Sequence, residues 1–362
     1  MKKIGVYIHI PFCNGKCPYC DFYSVKTNDS AIEEYTEKLV QKIASLNGRY
    51  CADTIYFGGG TPSLLGTERI AKLLSSCRSS FGKADEVTME VNPESAKDID
   101  FSYLSKLGLN RVSIGLQSAN DNELKLLGRS HTATDAAETV HKLQREGIDN
   151  ISLDLMLGIS GQTAQSLKDS IDFCAALNVS HISAYILKLE EGTLYYRRAD
   201  TLDLPNEDQT CELYELAVSY LGERSFKQYE ISNFAKEGFE SRHNLKYWRC
   251  EEYLGLGPAA HSFIDGKRFC YGRSIKDFYS DITESDGEGG NSEEYAALSL
   301  RLCEGLSNER YRRRYGEDLS RSYFENAKKL ERVGLVTVNE DTISLTPKGF
   351  LLSNSVTAEI LF

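Results

Sequence analysis

Residues 12–22 read FCNGKCPYCDF and place three cysteines within eight positions. Cys13, Cys17 and Cys20 follow the spacing C-x3-C-x2-C. Structural zinc sites use four protein ligands, and a [4Fe–4S] cluster is normally held by four cysteine thiolates. Three thiolates would leave one iron of such a cluster open to a ligand that is not protein. The missing fourth cysteine is therefore the informative feature of this stretch, with three incidental cysteines as the alternative.

Short β-rich runs and helical patterns alternate along the first half of the chain, beginning with the run that leads into the cysteines. The β-rich runs lie at 5–10, 53–57, 86–91, 111–116, 150–157 and 181–187. Apolar residues at helical spacing lie between most of them, at 31–46, 67–77 and 163–177. Six strands separated by helices predict a parallel sheet with right-handed crossovers. Periodicity alone does not choose between a doubly wound sheet and an incomplete barrel.

The remainder of the chain changes character twice. Residues 191–290 show no regular pattern, contain many tyrosines and end in a predicted loop at 283–291. Helical patterns then return, followed by a predicted hairpin at 335–345 and a last helix, an arrangement typical of a winged-helix module. We therefore predict three parts, namely an α/β unit at 1–190, an irregular connecting region at 191–290 and a C-terminal α+β domain at 291–362.

Composition excludes several classes of protein. The 42 basic and 53 acidic side chains give a net charge of −11, which disfavours non-specific binding to nucleic acid. No apolar run approaches the roughly 18 residues that a membrane span needs, and the short apolar start lacks the cleavage site of a signal peptide. Ten cysteines without an export signal are not expected to form disulfides. We predict a cytoplasmic protein with no transmembrane segment and no nucleic-acid partner.

Polar residues or glycines stand at or just beyond the carboxyl ends of five different predicted strands. In βα barrels this end of the strands carries the chemistry. The glycines of FGGGTP at 57–62 would let backbone amides approach an anionic or zwitterionic ligand closely, although a tight turn explains them equally well. Each polar residue alone could cap a helix, but the whole set predicts a site. The five residues are Cys13, Gly59, Glu90, Gln117 and Asp154.

Taken in series, five motifs resemble the radical S-adenosylmethionine (SAM) superfamily and, within it, the oxygen-independent coproporphyrinogen III oxidase-like group. The motifs are IHIPFCNGKCPYCDF, YFGGGTPSLL, MEVNPES, SIGLQSANDNELKLLGRSH and ISLDLMLGISGQT. The resemblance covers essentially the whole chain. It implies a partial (β/α)6 barrel with a C-terminal α+β winged-helix-like domain, and a [4Fe–4S] cluster held by Cys13, Cys17 and Cys20 whose open iron binds SAM.

The same resemblance implies particular contacts to SAM. Tyr7, Gly59 and Glu90 match positions that contact the cluster-bound SAM. A further set matches positions assigned to a second SAM in the true dehydrogenases of the group, and whether this chain uses a second SAM is left open. That set is Tyr19, Gly60, Thr61, Gln117, Arg129 and Asp154.

Two features separate the branches of this group. The true dehydrogenases carry a fourth cysteine where this chain has Phe22, and HNLKYW at 243–248 resembles the H-N-x-x-Y-W motif of the haem chaperone branch, HemW. The resemblance implies a chaperone that binds the cluster, SAM and haem and passes haem to apoproteins, some of them at the membrane. The alternative is a coproporphyrinogen III dehydrogenase that oxidatively decarboxylates propionates, and a winged-helix regulator is a remote third class.

The HNLKYW motif contains side chains of the types that bind haem iron and pack on a porphyrin ring. A neutral imidazole from His243 is a good axial ligand for haem iron. Tyr247 and Trp248, the only tryptophan, offer flat apolar surface for a porphyrin face, and Asn244 could orient a ligand or bond a propionate. His261, in GPAAHS, is a second candidate ligand. The alternative is that these side chains simply pack the middle segment.

Two other patterns receive structural interpretations. The arginine-rich run at 309–315 is expected to be a solvated face, with contact to anionic lipid or a partner as the alternative. Cys174 and Cys303 lie on apolar helical faces and are predicted core residues. The other cysteines show no metal-ligand spacing among themselves, and these are Cys51, Cys77, Cys211, Cys250 and Cys270.

Overall fold

Six parallel strands, adjacent in sequence order, form the centre of the computed structural model, which describes residues 1–26 and 28–362. They agree with the six predicted runs except at their ends, and their order is that of a partial barrel. The strands are β1 (Lys2–Ile10), β2 (Tyr50–Gly59), β3 (Glu86–Val91), β4 (Arg111–Gln117), β5 (Ile151–Leu157) and β6 (His181–Ile186).

Helices connect these strands and cover the outer face of the sheet. Two of them begin with capping boxes, in which the Thr132 and Thr163 side chains accept from backbone N–H groups of the first turn. The helices are α1 (Asp29–Ser45), α2 (Thr67–Phe81), α3 (Pro93–Ala96), α4 (Phe101–Lys106), α5 (Asp121–Leu126), α6 (Ala133–Arg145) and α7 (Ala164–Ala176), with a 3-10 turn at Pro62–Leu65.

The barrel strands have one apolar and one polar face, as β3 illustrates. Its Val87 and Met89 belong to the hydrophobic core. Glu86, Thr88 and Glu90 alternate with them and therefore point to the opposite face, into the barrel. Strands of parallel sheets are usually apolar on both faces, so this alternation marks the barrel interior as a polar chamber.

The sequence pattern indicated an irregular segment at 191–290. This prediction is wrong, because the segment contains helices and strands. The segment extends the central sheet at both edges, because β8 pairs with β6 and β9 pairs with β1. The division of the chain at 190 and 290 remains a prediction. The elements are α8 (Leu194–Arg197), a 3-10 turn at Ala199–Thr201, α9 (Glu207–Glu223), β7 (Lys227–Gln228), β8 (Asn233–Ala235), α10 (Arg242–Trp248), β9 (Tyr253–Leu256), β10 (His261–Ile264), β11 (Lys267–Tyr271), α11 (Ile275–Tyr279) and β12 (Thr283–Glu288).

The predicted loop at 283–291 is also wrong in part, because β12 occupies its first six residues as an edge strand beside β11. All six residues of β12 are exposed. A strand with no buried face has no reason to alternate apolar and polar residues, so its sequence, TESDGE, carries no strand pattern.

The C-terminal region confirms the predicted α+β winged-helix-like domain, including the hairpin. A small antiparallel sheet has the order β13-β15-β14 and packs with helices. Within the described residues, no helix combines the length and apolar character needed to cross a bilayer. The elements are α12 (Ser292–Ser299), β13 (Leu306–Ser307), α13 (Asn308–Tyr315), α14 (Arg321–Glu331), β14 (Val336–Val338), β15 (Thr342–Leu345), α15 (Pro347–Leu351) and α16 (Ser353–Leu361).

Candidate cofactor site

The loop that follows β1 carries the three cysteines and is tied to the carboxyl ends of two strands. The Cys13 N–H donates to the Val25 carbonyl at 3.2 Å, which closes the loop on itself. The Gly60 N–H, just after β2, donates to the Ile10 carbonyl at 2.8 Å. The loop is therefore held over the end of the barrel where the strand-end residues were predicted to meet.

The thiols of this loop fit a polynuclear metal cluster. Cys13, Cys17 and Cys20 are free and partly buried, and the Arg129 guanidinium donates to the Cys17 sulfur at 3.4 Å. A cluster takes one thiolate per iron, so three free thiols on one short loop are a donor set that suits a [4Fe–4S] cluster with one open iron.

Glu90 lies at the centre of the strand ends. Its Oε1 accepts from the Tyr56 hydroxyl at 2.8 Å, and its Oε2 accepts from the Gly59 N–H at 3.1 Å. Burial raises the pKa of Glu90 to about 7, and the nearby charge of Asp154 acts in the same direction. A bound ammonium group would favour the ionised carboxylate, so Glu90 is suited to hold a ligand's amino group.

Asp154 and Gln117 complete the far side of the chamber. The Ser113 hydroxyl donates to Asp154 at 3.1 Å, and burial raises the pKa of the Asp154 carboxyl. Gln117 ends β4 with a φ of 73°. Non-glycine residues in this left-handed region are uncommon and cluster at functional sites, which supports the predicted role of Gln117 at the strand ends.

A chain of hydrogen bonds joins Arg129 to Thr61 through a residue that the sequence analysis did not name. Arg129 donates to the Asn92 side-chain oxygen at 2.7 Å, and the Asn92 amide donates to the Thr61 hydroxyl at 3.0 Å. Asn92 directly follows β3, so its strand-end position was the available signal. Tyr19 lies beside Arg129 and contacts Tyr195 edge-on, with ring centroids 6.2 Å apart.

Tyr7 joins the site through His9, which was not predicted to take part. The Tyr7 hydroxyl lies 3.0 Å from His9 Nδ1, and His9 Nε2 lies 2.9 Å from the Tyr23 carbonyl. Burial lowers the pKa of His9 to about 4, so the ring is neutral at physiological pH. Its edge lies against Gly59, where a Cβ would come within 2.4 Å of the ring.

Close backbone packing at Gly60 yields a prediction for ligand binding. A Cβ on Gly60 would lie 2.6 Å from the Phe12 carbonyl oxygen, within the cysteine loop. Overpacking of this kind costs about 1–3 kcal/mol unless the neighbouring backbone moves, so a side chain at this position is expected to shift the cysteine loop away from the turn. Gly60→Ala should therefore weaken SAM binding, measured by calorimetry on anaerobic, cluster-loaded protein.

Gly222→Ala is the matched control, because a Cβ there meets no atom within 4 Å. It should bind SAM as the unchanged protein does. If Gly60→Ala retained its cluster and its full SAM affinity, the assignment of this turn to the SAM pocket would be wrong.

The helix with the HNLKYW motif lies at the opposite end of the barrel from the cysteines. Glu86, at the start of β3, accepts from the backbone N–H of Arg242 at 3.0 Å and of His243 at 2.9 Å. Thr54 and Glu86 are direct neighbours in strand register. Helix α10 is therefore attached beneath the amino-terminal half of the barrel strands.

His243 does not have the accessibility expected of a haem ligand. Its Nδ1 lies 2.8 Å from the Thr54 hydroxyl, its Nε2 lies 2.8 Å from the Tyr247 hydroxyl, and its ring stacks on Tyr56. Only 1% of the residue is exposed, and burial, with the charges of Lys246 and Arg111, lowers its pKa to about 3. Because both ring nitrogens are engaged inside the protein, the structure opposes the prediction that His243 binds haem iron.

The other residues of the motif serve packing and capping. The Trp248 side chain hydrogen-bonds to the buried Glu230, and Tyr247 contacts Tyr253 edge-on at a centroid distance of 4.5 Å. The Asn244 backbone N–H donates to the Ser241 cap. The aromatic rings are thus committed to neighbours within the protein rather than arranged as an open face.

His261 is placed differently, at the start of β10 on the surface. Its side chain is 62% exposed, and its Nδ1 lies 2.9 Å from a carboxylate oxygen of Asp286. Nε2 makes no hydrogen bond within the described part of the chain. The predicted haem residues therefore do not form one site, and the accessible imidazole among them is His261.

Comparison with known proteins identifies the class and then the family. The radical SAM superfamily matches residues 7–174, and the HemN C-terminal domain matches residues 292–352. The fold is that of coproporphyrinogen III oxidase (HemN) from Escherichia coli, with a TM-score of 0.83 over 99% of this chain and 90% of that chain at 23% identity. The fold and the three-cysteine loop thus define a radical SAM protein, and this class implies a [4Fe–4S] cluster and SAM.

Relatives that are similar over most of this chain identify the family within the radical SAM class. The heme chaperone HemW of Bacillus subtilis is 35% identical, covering 97% of both chains. HemW of Lactococcus lactis is 32% identical over 99% of this chain and 98% of its own. A mitochondrial radical SAM domain-containing protein 1 of Bos taurus is 37% identical over 72% of this chain and 60% of its own. The chain belongs to the HemW family.

Proposed function

We propose that this protein is a haem chaperone that binds a [4Fe–4S] cluster, SAM and haem and delivers haem to apoproteins. The observation that carries the proposal is the cysteine loop, which offers three thiols and presents Phe22 where the dehydrogenases have a fourth. Phe22 is 67% exposed, so it neither replaces a ligand nor fills the chamber. Full-length similarity to proteins named as HemW heme chaperones supports the same conclusion.

In this proposal the cluster is held by the thiolates of Cys13, Cys17 and Cys20, and the bound cofactors supply reductive SAM chemistry. The Arg129 guanidinium beside Cys17 stabilises the negative charge of the thiolate. SAM would lie over the strand ends, where Glu90 receives its amino group. Tyr7 and Gly59 are assigned to the same SAM. The residues that match the positions of a second SAM in the dehydrogenases are Tyr19, Gly60, Thr61, Gln117, Arg129 and Asp154.

Haem binding is proposed at the surface rather than at α10. An axial ligand must present an accessible imidazole nitrogen to the iron. Nε2 of the exposed His261 is accessible, whereas both ring nitrogens of His243 are engaged inside the protein. The Asp286 carboxylate beside Nδ1 would orient the ring and increase the basicity of Nε2, as second-shell carboxylates do for metal-bound histidines.

A haem titration of cluster-loaded protein tests this assignment. His261→Ala should change the Soret band that reports axial imidazole, whereas exposed His141→Ala on α6 should leave it unchanged. An identical Soret band in the His261→Ala protein would contradict His261 as the ligand. Transfer is tested by mixing the haem-loaded protein with an apocytochrome, whose haem spectrum should appear as the donor spectrum decays.

The chaperone and the dehydrogenase can be separated by their reactions. With SAM, a low-potential reductant and anaerobic conditions, the protein should not convert coproporphyrinogen III to protoporphyrinogen IX, because the fourth thiol of the dehydrogenases is absent. Product analysis by chromatography checks this, against a variant lacking all three loop cysteines. Product above that control would establish the dehydrogenase instead.

We place this function in the cytoplasm, with haem acceptors that include membrane proteins. The arginine-rich helix α13 does not argue for direct contact with lipid. Arg313 pairs with Glu309 at 2.6 Å, and Arg314 donates to the Cys250 carbonyl at 2.6 Å. Because both arginines already have partners within the chain, we do not assign them to lipid headgroups. We propose that membrane-bound acceptors contact this protein through protein–protein contacts.

A further inference from the structure

Three metal-binding side chains meet at the edge of the large sheet, on strands β10, β11 and β12. His261 pairs directly with Cys270 across two antiparallel strands, and Cys270 pairs with Glu284 on the next strand. Paired residues project to the same face of a sheet. Asp286 lies two positions beyond Glu284 and therefore returns to that face.

A bulge brings the Asp286 carboxylate toward the other two donors. The register of β11 with β12 shifts between Arg268 and Phe269, whose partners are Gly287 and Ser285. Asp286 is thus the extra residue of the bulge, an irregularity that commonly re-aims a side chain. One donor atom from each of His261, Cys270 and Asp286 lies within 4.8 Å of the others.

The donors match one class of metal ion. Imidazole nitrogen, thiolate sulfur and carboxylate oxygen together are ligands of zinc and related divalent transition metals, whereas magnesium and calcium prefer oxygen alone. Among the described residues, this is the only group of three or more such side chains with donor atoms so close together.

The local charge also favours a cation. Asp286 forms an ion pair only with His261 within the described chain, and Glu284 adds a second exposed carboxylate on the same face. The nearest basic side chain on that face is engaged elsewhere, because Arg268 pairs with Glu294 and covers the Phe263 ring. The face therefore carries two carboxylates and no lysine or arginine that is free to pair with them among the residues named here.

We propose that His261, Cys270 and Asp286 form a surface site for one divalent transition-metal ion of the zinc class. Three protein ligands leave a fourth position for water or an external ligand, as in catalytic rather than structural zinc sites. Occupancy of this site also regulates haem binding, a consequence that rests on the proposed function. A zinc ion on one ring nitrogen of neutral His261 leaves the proton on the other nitrogen, which then has no lone pair to offer haem iron.

Calorimetry with Zn²⁺ on anaerobic, cluster-loaded protein tests the site. One ion should bind per chain, and His261→Ala, Cys270→Ser and Asp286→Asn should each lower the affinity at least tenfold. His141→Ala and Cys211→Ser serve as matched controls on other elements and should bind as the unchanged protein does. Unchanged iron content before and after titration ensures that zinc has not replaced the cluster. Equal affinity in all five variants, or no binding, would overturn the proposal.

Alkylation of Cys270 provides a second measurement that does not depend on the variants. Zn²⁺ should slow the modification of Cys270 by iodoacetamide at least tenfold, as followed by peptide mass spectrometry, and should leave Cys211 unaffected. An unprotected Cys270 at saturating Zn²⁺ would overturn the site. Zinc binding that protects Cys270 but does not compete with haem would support the site and contradict His261 as the haem ligand, so the two proposals fail separately.

Discussion

Replacing any one of Cys13, Cys17 or Cys20 with Ala should abolish the iron–sulfur absorption of the anaerobically reconstituted protein. Each thiolate is proposed to bind a different iron, so no other thiol in the loop can compensate for its loss. The measurement is the visible absorption spectrum together with iron per chain. We expect near-complete loss in each variant, the largest effect among the predictions made for this protein.

The matched control is Cys51→Ala. Cys51 is also partly buried, but it lies on β2, far from the loop in sequence. Its replacement should leave the spectrum and the iron content unchanged. Equal loss of the cluster in Cys51→Ala, or retention of the full cluster in Cys17→Ala, would show that the three-thiolate assignment is wrong.

His243→Ala should lower the free energy of unfolding by about 3–5 kcal/mol, whereas His261→Ala should change it by less than about 0.5 kcal/mol. Removing the buried ring leaves a cavity beside Tyr56 and deprives the Thr54 and Tyr247 hydroxyls of their partner. Anaerobic denaturant titration of the two variants measures the difference. Equal and small changes would mean that His243 is not the structural residue described above.

His243 also makes the free energy of unfolding depend on pH. The folded-state pKa of His243 is about 3, below the unfolded value of about 6.5. As the pH falls below the unfolded value, the unfolded chain binds a proton that the folded protein excludes, so stability is lost. From pH 7 to pH 5 this contribution decreases by about 2 kcal/mol.

The variant isolates this contribution from those of other buried histidines. The stability difference between the unchanged protein and His243→Ala should shrink by the same ~2 kcal/mol between pH 7 and pH 5. Denaturant titrations at the two pH values provide the measurement. A difference that stays constant with pH would show that the pKa of His243 is the same in the folded and the unfolded protein, which would contradict its burial as a neutral ring.

Local patterns were sufficient for the six parallel strands and for the cysteine loop, whereas the choice of a barrel over a doubly wound sheet followed from the family resemblance. EVTMEV alternates polar and apolar residues because one face of β3 lines the chamber and the other packs on helices. The C-x3-C-x2-C spacing is contained in one loop, so its chemistry can be recognised without knowing the fold. Strand-end positions such as Glu90 and Gln117 followed from the rule that the carboxyl ends of parallel strands share one edge. Asp154 was predicted at a strand end, but it lies in the middle of β5 and faces the chamber from there.

The sequence by itself therefore determined what is local, namely the six strands, the three thiols and the residues at the strand ends. Only the tertiary structure decided which histidine is available to a metal. His243 is placed by α10 beneath the barrel, where burial and two hydroxyl partners engage its ring. His261, Cys270 and Asp286 come from three strands and meet only through antiparallel register and a bulge. Burial and cross-strand pairing arise from contacts between distant segments, and no local spacing of residues records them.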